Sequence, residues 1–215
     1  RTAEWVLPRG ALQVSTAWVA VAVSLAVLLL AAAQLNPLCL ALSPLAVAVL
    51  WGYSYTKRFT CWCHLVLGMA VGMGPVGGWM AITGSLDWRP AILGLAVAFW
   101  IAGFDTMYAC QDIEFDRAEG LCSLPARFGA LGALRLARGF HLLTVVCFAL
   151  MGAVTGLGAW YFAGVGFAAL ILLYEHSLVR ADDLSLVNLA SFHVNRYVSL
   201  VMFITTLVAV LQARG

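Results

Sequence analysis

Long apolar runs, broken at short polar intervals, set the pattern of this chain. A bilayer core about 30 Å thick takes roughly 20 residues of helix to cross. Seven stretches reach that length or come close: residues 12–35, 38–55, 61–83, 91–110, 140–155, 160–178 and 197–211. Asn36-Pro37 separates the first two. The third is interrupted by Gly72, Gly74, Pro75, Gly77 and Gly78, which predicts either a kink or close approach by a neighbouring helix. No linker, low-complexity tract or repeat divides the pattern, so residues 1–215 read as one membrane domain. The fold class expected is all-α, a polytopic membrane helix bundle with seven transmembrane helices.

Composition supports the same class. The chain is 63% hydrophobic and 10% charged, against roughly a quarter charged in soluble domains. A net charge of +2 is too small to suggest a nucleic-acid partner. The placement of charge is more informative. Arg1, Arg9, Lys57, Arg58, Arg117, Arg127, Arg135, Arg138, Arg180 and Arg196 fall in one alternating set of loops, and only Arg89 and Arg214 in the other. By the positive-inside rule the rich set is cytoplasmic. The six cysteines are scattered among apolar neighbours, and Cys61 and Cys63 form a CxC rather than the CxxC of a zinc or redox site. They read as small membrane hydrophobes. The sequence opens on Arg1 without a signal-peptide pattern, and the expectation is an N-terminally truncated chain.

Chemistry-bearing residues gather in the rich set of loops. Residues 104–129, FDTMYACQDIEFDRAEGLCSLPARFG, hold five of the ten acidic residues. Asp105, Asp112 and Asp116 are spaced to fall near one face of a single helix, and Tyr108 lies one turn from the first two. Three carboxylates on one stripe repel one another, which favours a divalent cation between them and a partner. Asp112 and Asp116, at i and i+4, suit magnesium, which keeps waters and completes its shell with phosphate oxygens. Asp105, about two turns deeper, could support that pair or add a ligand. The plainer alternative is that these acids solvate a helix end, and it holds for Glu114 and Glu119, which fall off the stripe. Lys57 and Arg58, at the end of the second run, would neutralise a bound diphosphate, and Arg127 has a weaker claim to the same role. Glu175, His176, Asp182 and Asp183 read as capping and solvating a cytoplasmic turn. Asn195 and His64 could line a cavity, although a satisfied place in the core is the leading expectation for each.

The run YACQDIEFDRAEGLCSLPARFG resembles the second aspartate-rich motif of the UbiA superfamily of intramembrane aromatic prenyltransferases. The segments GFDTMYA, YSYTKRFT and YEHSLVRADDLSLVN resemble its bacterial 4-hydroxybenzoate polyprenyltransferase branch, which includes related enzymes of menaquinone synthesis. RTAEWVLPRG resembles the loop that follows the first motif, although Trp5 stands where that loop has a second basic residue. Cys122 stands where some relatives have Lys. The resemblance implies nine helices, of which seven are present, with an N-x-x-x-D-x-x-x-D motif expected upstream of Arg1. It implies transfer of a polyprenyl group from polyprenyl diphosphate to a small aromatic acceptor, a hydroxybenzoate or a dihydroxynaphthoate, in ubiquinone or menaquinone biosynthesis. Magnesium would be the cofactor, held by Asp112 and Asp116. Lys57, Arg58, Asp105 and Tyr108 would be catalytic, and Arg1, Lys57, Arg58, Arg127 and Asn195 would bind substrate. The expected location is the bacterial inner membrane, multi-pass, with the site facing the cytoplasm; with one motif absent, the chain as given would hold half of a metal site and be inactive. A cation-coupled transporter is the alternative, as are other branches of the superfamily. A transporter would want polar residues across the midplane, and the outer half of this pattern has almost none.

Overall fold

The computed structural model describes residues 7–214. Its helices are α1 (Val14–Leu35), α2 (Pro37–Gly52), α3 (Cys63–Thr83), α4 (Arg89–Tyr108), α5 (Ile113–Ala118), α6 (Leu124–Thr155), α7 (Ala159–Leu178) and α8 (Asn195–Arg214). They make up seven spans long and apolar enough to cross a membrane, with α4 and the short α5 in one of them, Arg89–Ala118. This is the multi-pass all-α bundle that the apolar pattern predicts. Because the spans alternate in direction, the α2–α3, α4–α6 and α7–α8 connections share one face of the bundle with the segment before α1.

Local chemistry sets the helix ends. Asn36 caps α2 by accepting from the Cys39 amide at 3.0 Å, and its Nδ2 donates to the Met80 carbonyl at 2.9 Å, tying the α1–α2 turn to the end of α3. Ser123 caps α6 by accepting from the Ala126 amide at 3.2 Å, with Pro125 in the first turn. That early start corrects the fifth predicted span, which begins at 140 rather than 124. The helix passes through Arg127, Arg135 and Arg138 because Ala133, Leu134, Ala137 and Phe140 recur at helical spacing and are buried, while the arginines stay exposed. Gly129 (φ 71°) breaks α6 near its start in a backbone conformation that disfavours any side chain.

A second correction concerns the acidic stripe. The helix carrying Asp105 does not run on to Asp116. It ends at Tyr108, passes through a tight 3₁₀ turn over Ala109–Asp112, and resumes as α5. The three carboxylates therefore do not share one regular helical face.

α4 is the centre of the bundle, and its most extensive contacts are with α3 and α6. The α3–α4 seam is built on small residues. A Cβ at Gly68 would collide with the carbonyl of Ala98, and one at Gly94 would come 2.6 Å from the carbonyl of Gly72. Of the two outcomes predicted for the glycine cluster, close helix approach is what the seam displays at Gly72. Such contact replaces the hydrophobic drive that is missing between helices in lipid. Gly74, Gly77 and Gly78 face open space.

The second internal tie is polar. Asn195 is buried at the start of α8, beside the π-helical turn Leu189–Val194. Its Nδ2 donates to Glu175 Oε1 of α7 at 2.8 Å and to the Ser191 carbonyl at 3.2 Å, and its Oδ1 accepts from Trp100 Nε1 of α4 at 2.5 Å. One amide thus fastens three helices and satisfies a carbonyl of the π turn. His141 of α6 and His176 of α7 meet beside it, Nδ1 to Nε2, at 3.0 Å.

Two outcomes test this packing. Gly68→Ala forces the Ala98 backbone to move and should destabilise the bundle by about 1–3 kcal/mol, whereas Gly74→Ala should be near neutral; thermal unfolding in detergent compares them. Asn195→Ala should cost about 1–3 kcal/mol by stranding buried Glu175 and Trp100. Glu175→Gln, which keeps an acceptor for Asn195, should cost less by the same measurement.

Candidate functional site

The polar face of the bundle is organised by Asp116. Its side chain is 1% exposed, in the α5 turn that the bundle closes over. Lys57, in the 3₁₀ turn Tyr53–Arg58 that extends α2, reaches both carboxylate oxygens, with Nζ at 3.2 Å from Oδ1 and 3.1 Å from Oδ2. Ser123 Oγ donates to Oδ2 at 2.7 Å while accepting from the first turn of α6. The backbone repeats the connection: the Cys122 amide donates to the Lys57 carbonyl at 2.6 Å, and the Leu121 amide to the Asp116 carbonyl at 2.7 Å. A buried carboxylate without partners would be costly, and here the turn after α2 and the cap of α6 both converge on the α5 turn to satisfy one.

A second acid–base pair lies next to the first. His64, in the first turn of α3, is 1% exposed, and its Nδ1 lies 2.7 Å from Asp105 Oδ2 on α4. Lys57, His64 and Asp105 line one cavity of about 210 Å³, together with Tyr53, Ser54 and Leu67. His64 Nε2 has no hydrogen-bond partner among the described residues.

The other predicted residues fall around this centre rather than into it. Asp112 is half-buried in the 3₁₀ turn leading into α5. Tyr108 packs edge-on against Phe192, with ring centroids 5.0 Å apart. Arg58 is exposed and lies over the Tyr55 ring at 5.4 Å. Arg127 is exposed and lines a neighbouring cavity of about 390 Å³ with Arg117, Cys122 and Ser123. Asn195 does not line the Lys57 cavity; its amide is taken up by Glu175, Trp100 and the π turn. Arg1 lies outside the described residues. The acids after α7 serve their own turn: the Arg180 guanidinium holds the Asp182 carboxyl below the usual carboxylate range, and hydrogen bonds from Ser185 lower Asp183.

Of two further participants, one was weighed in the sequence reading and one was missed. His64, for which a core place was the leading expectation and a cavity-lining one the alternative, is buried and also lines the cavity. Ser123 was not singled out, although a serine two residues before a proline at the head of an apolar run is a helix-start signal.

Among the described residues no three His, Cys, Asp or Glu side chains are grouped to enclose a metal ion. Magnesium asks for less, since one or two carboxylates suffice when waters and phosphate oxygens complete its shell. Asp112 and Asp116 supply hard oxygen donors of that kind. Asp116 already accepts from Lys57 and Ser123, so Lys57 would have to turn towards an incoming anion as the carboxylate took a cation. The donor set fits magnesium on that condition.

Comparison with known proteins bears on the assignment. The sequence profile of the UbiA prenyltransferase family matches residues 1–211. A 4-hydroxybenzoate octaprenyltransferase of Aromatoleum aromaticum is 33% identical over 177 residues, covering 81% of this chain and 58% of that protein. One from Methylobacillus flagellatus is 38% identical over 160 residues, covering 70% and 50%; one from Citrobacter koseri is 30% identical over 209 residues, covering 95% and 70%. The chain thus spans about half the length of the first two relatives. Among solved structures, an apo UbiA homolog from Aeropyrum pernix K1 superposes with a TM-score of 0.87 at 33% identity, covering 97% of this chain and 77% of that one. A digeranylgeranylglyceryl phosphate synthase superposes with a TM-score of 0.72 at 20% identity, covering 95% and 73%, a likeness of fold. With its profile matched almost end to end, the chain belongs to the UbiA prenyltransferase family.

Proposed function

We propose that this chain carries part of a magnesium-dependent prenyltransferase. It would transfer a polyprenyl group from polyprenyl diphosphate to a hydroxybenzoate or dihydroxynaphthoate, in ubiquinone or menaquinone biosynthesis. The observation that carries this reading is Lys57, paired with buried Asp116, in a cavity that Asp105 and His64 also line. A cation and two carboxylates at the ends of apolar spans are expensive to place there, and such residues mark function by default. The basic loops of the same face support a cytoplasmic orientation in a bacterial inner membrane.

Asp112 and Asp116 would hold magnesium, which when bound supplies positive charge opposite the departing diphosphate. Lys57, released from Asp116, turns its ammonium to the same group and neutralises charge as the carbon–oxygen bond lengthens. Arg58 and Arg127 lie exposed on the same face and extend that field. Ser123 keeps Asp116 oriented while Lys57 exchanges partners. The leaving diphosphate takes the bonding pair, the electron-rich ring attacks the allylic cation left behind, and the attacked ring carbon then gives its proton to a base, the C–H electrons restoring the aromatic ring. Apolar helix walls keep water from that cation, and the isoprenoid tail lies along them.

Asp112→Ala in the full-length protein should lower magnesium-dependent transfer by about 10²-fold or more, on the scale of losing one charge-stabilising group. Labelled prenyl transfer in membranes, with and without chelator, measures it. Wild-type turnover by a folded Asp112→Ala protein would sink the metal assignment. Lys57→Met should lower kcat more than it raises KM for the diphosphate, because its full contact with the leaving group forms only as the bond breaks.

A further inference from the structure

We propose that the groove between α6 and α7 holds an anionic phospholipid of the cytoplasmic leaflet, its phosphate on Arg138 and an acyl chain along the groove floor. The groove shares no lining residue with the Lys57 cavity, and the site is independent of the transferase chemistry.

The groove opens sideways, into lipid. It encloses about 490 Å³, within the range of roughly 300–1,000 Å³ usual for ligand sites. Its floor is formed by His141 and Leu172, 3% and 2% exposed, and its rims by Leu142 and Leu173, 65% and 66% exposed. Val145 and Ala169 continue its apolar part. Because α6 and α7 both belong to membrane spans, a mouth between outward-facing leucines meets acyl chains rather than water.

Its polar end lies at headgroup depth. Arg138 stands 17 residues before the outer end of α6 at Thr155, and Ser177 stands 18 residues after the start of α7 at Ala159. At about 1.5 Å per residue, both are about 26–27 Å from the outer face, near the cytoplasmic boundary of a core about 30 Å thick. Val145 and Ala169 lie about 10–12 Å deeper by the same measure. The groove is thus polar where headgroups sit and apolar where chains begin.

Arg138 supplies the recognition. It is exposed, lines the groove and makes no ion pair with a carboxylate among the described residues, whereas Lys57, Arg89 and Arg180 each have an aspartate. Glu175, on the same turn of α7, is buried and taken up by Asn195. The Ser177 hydroxyl donates to the Tyr174 carbonyl at 2.6 Å, and His176 Nε2 meets His141 Nδ1 at 3.0 Å. That leaves the Arg138 guanidinium to receive an anion, and its planar fork matches phosphate oxygens. Basic pockets between transmembrane helices on this side take acidic headgroups. A soluble anion would leave the apolar floor uncovered, and a zwitterionic lipid would leave Arg138 facing a headgroup without net charge.

Lipid retention measures the preference without catalysis. Full-length protein in detergent is titrated with dioleoyl phosphatidylglycerol and with dioleoyl phosphatidylcholine, and bound lipid is counted by native mass spectrometry. The wild type should bind phosphatidylglycerol about fivefold more tightly, the scale of one basic side chain at an anionic surface. Arg138→Gln should bring that preference below about twofold. Arg135→Gln, on the same helix and also exposed but outside the groove, should keep it. Ala169→Trp fills the apolar part and should remove the phosphatidylglycerol bound there while leaving every charge in place. Full preference in Arg138→Gln would overturn the proposal, as would an equal loss in Arg135→Gln, which would mean a diffuse basic surface. A wild type without the preference, together with an Arg138→Gln protein whose KM for prenyl diphosphate is raised, would assign the groove to the prenyl donor instead and overturn it too.

Discussion

The polar face of this bundle depends on how one buried carboxylate is satisfied. Asp116 is almost wholly withdrawn from solvent, at the edge of a structure whose interior offers little to stabilise charge. Lys57 supplies the counter-charge from the end of α2, and Ser123 a hydroxyl from the cap of α6. Because those partners come from sequence positions 59 and 7 residues away, satisfying the carboxylate also fixes where three segments lie. Asp116→Ala would leave Lys57 without a partner and the α6 cap without an anchor. The Lys57 ammonium is about one-third exposed, so solvent softens the loss on that side. The geometric consequence would remain, since the loop between α5 and α6 is wrapped around this one side chain.

The rest of the bundle keeps the polar face in register with the membrane-spanning helices. α4 lies against α3 through small residues that allow backbone contact, and against α6, where His141 occupies the space left by Gly103. Trp100 on α4 reaches Asn195, which reaches Glu175. The helix that brings Asp105 to the cavity is therefore braced from two directions. Neither brace touches the cavity, and each would act on the site only by moving α4.

Much of this was legible in the sequence for simple reasons. Apolar runs near bilayer length have few structural alternatives, so the spans emerged with modest errors at their ends. The largest error, the start of α6, arose because arginines were read as loop; Arg135 and Arg138 in fact sit on the exposed side of a helix whose other face is buried. Lys57 and Asp116 were both singled out, yet their direct pairing was not, because pairing across 59 positions depends on packing that periodicity does not encode. The shared stripe of Asp105, Asp112 and Asp116 assumed one unbroken helix. The 3₁₀ turn at Ala109–Asp112 removes that assumption and re-aims each acid. Asn195 shows the opposite limit: a polar residue near a helix end looks the same in sequence whether it faces a ligand or locks a π turn.

The contrast between the two acid–base pairs gives the site its internal logic. Asp116 is matched with a primary ammonium, a strong counter-charge that can be surrendered to a second anion. Asp105 is matched with an imidazole, which has a second nitrogen on the far side of its ring. A lysine in place of His64 could only donate and would duplicate Lys57. A glutamine could accept, but its amide plane would not be locked by one carboxylate contact as the ring is. Two carboxylates at neighbouring helix ends would repel each other if both were left bare. Each is matched with a different base, and the Lys57 ammonium, which lines the cavity with His64 and Asp105, is the exchangeable cation. On the proposed reading, the cation serves the prenyl donor, and the buried His64 keeps Asp105 in place at the cavity wall.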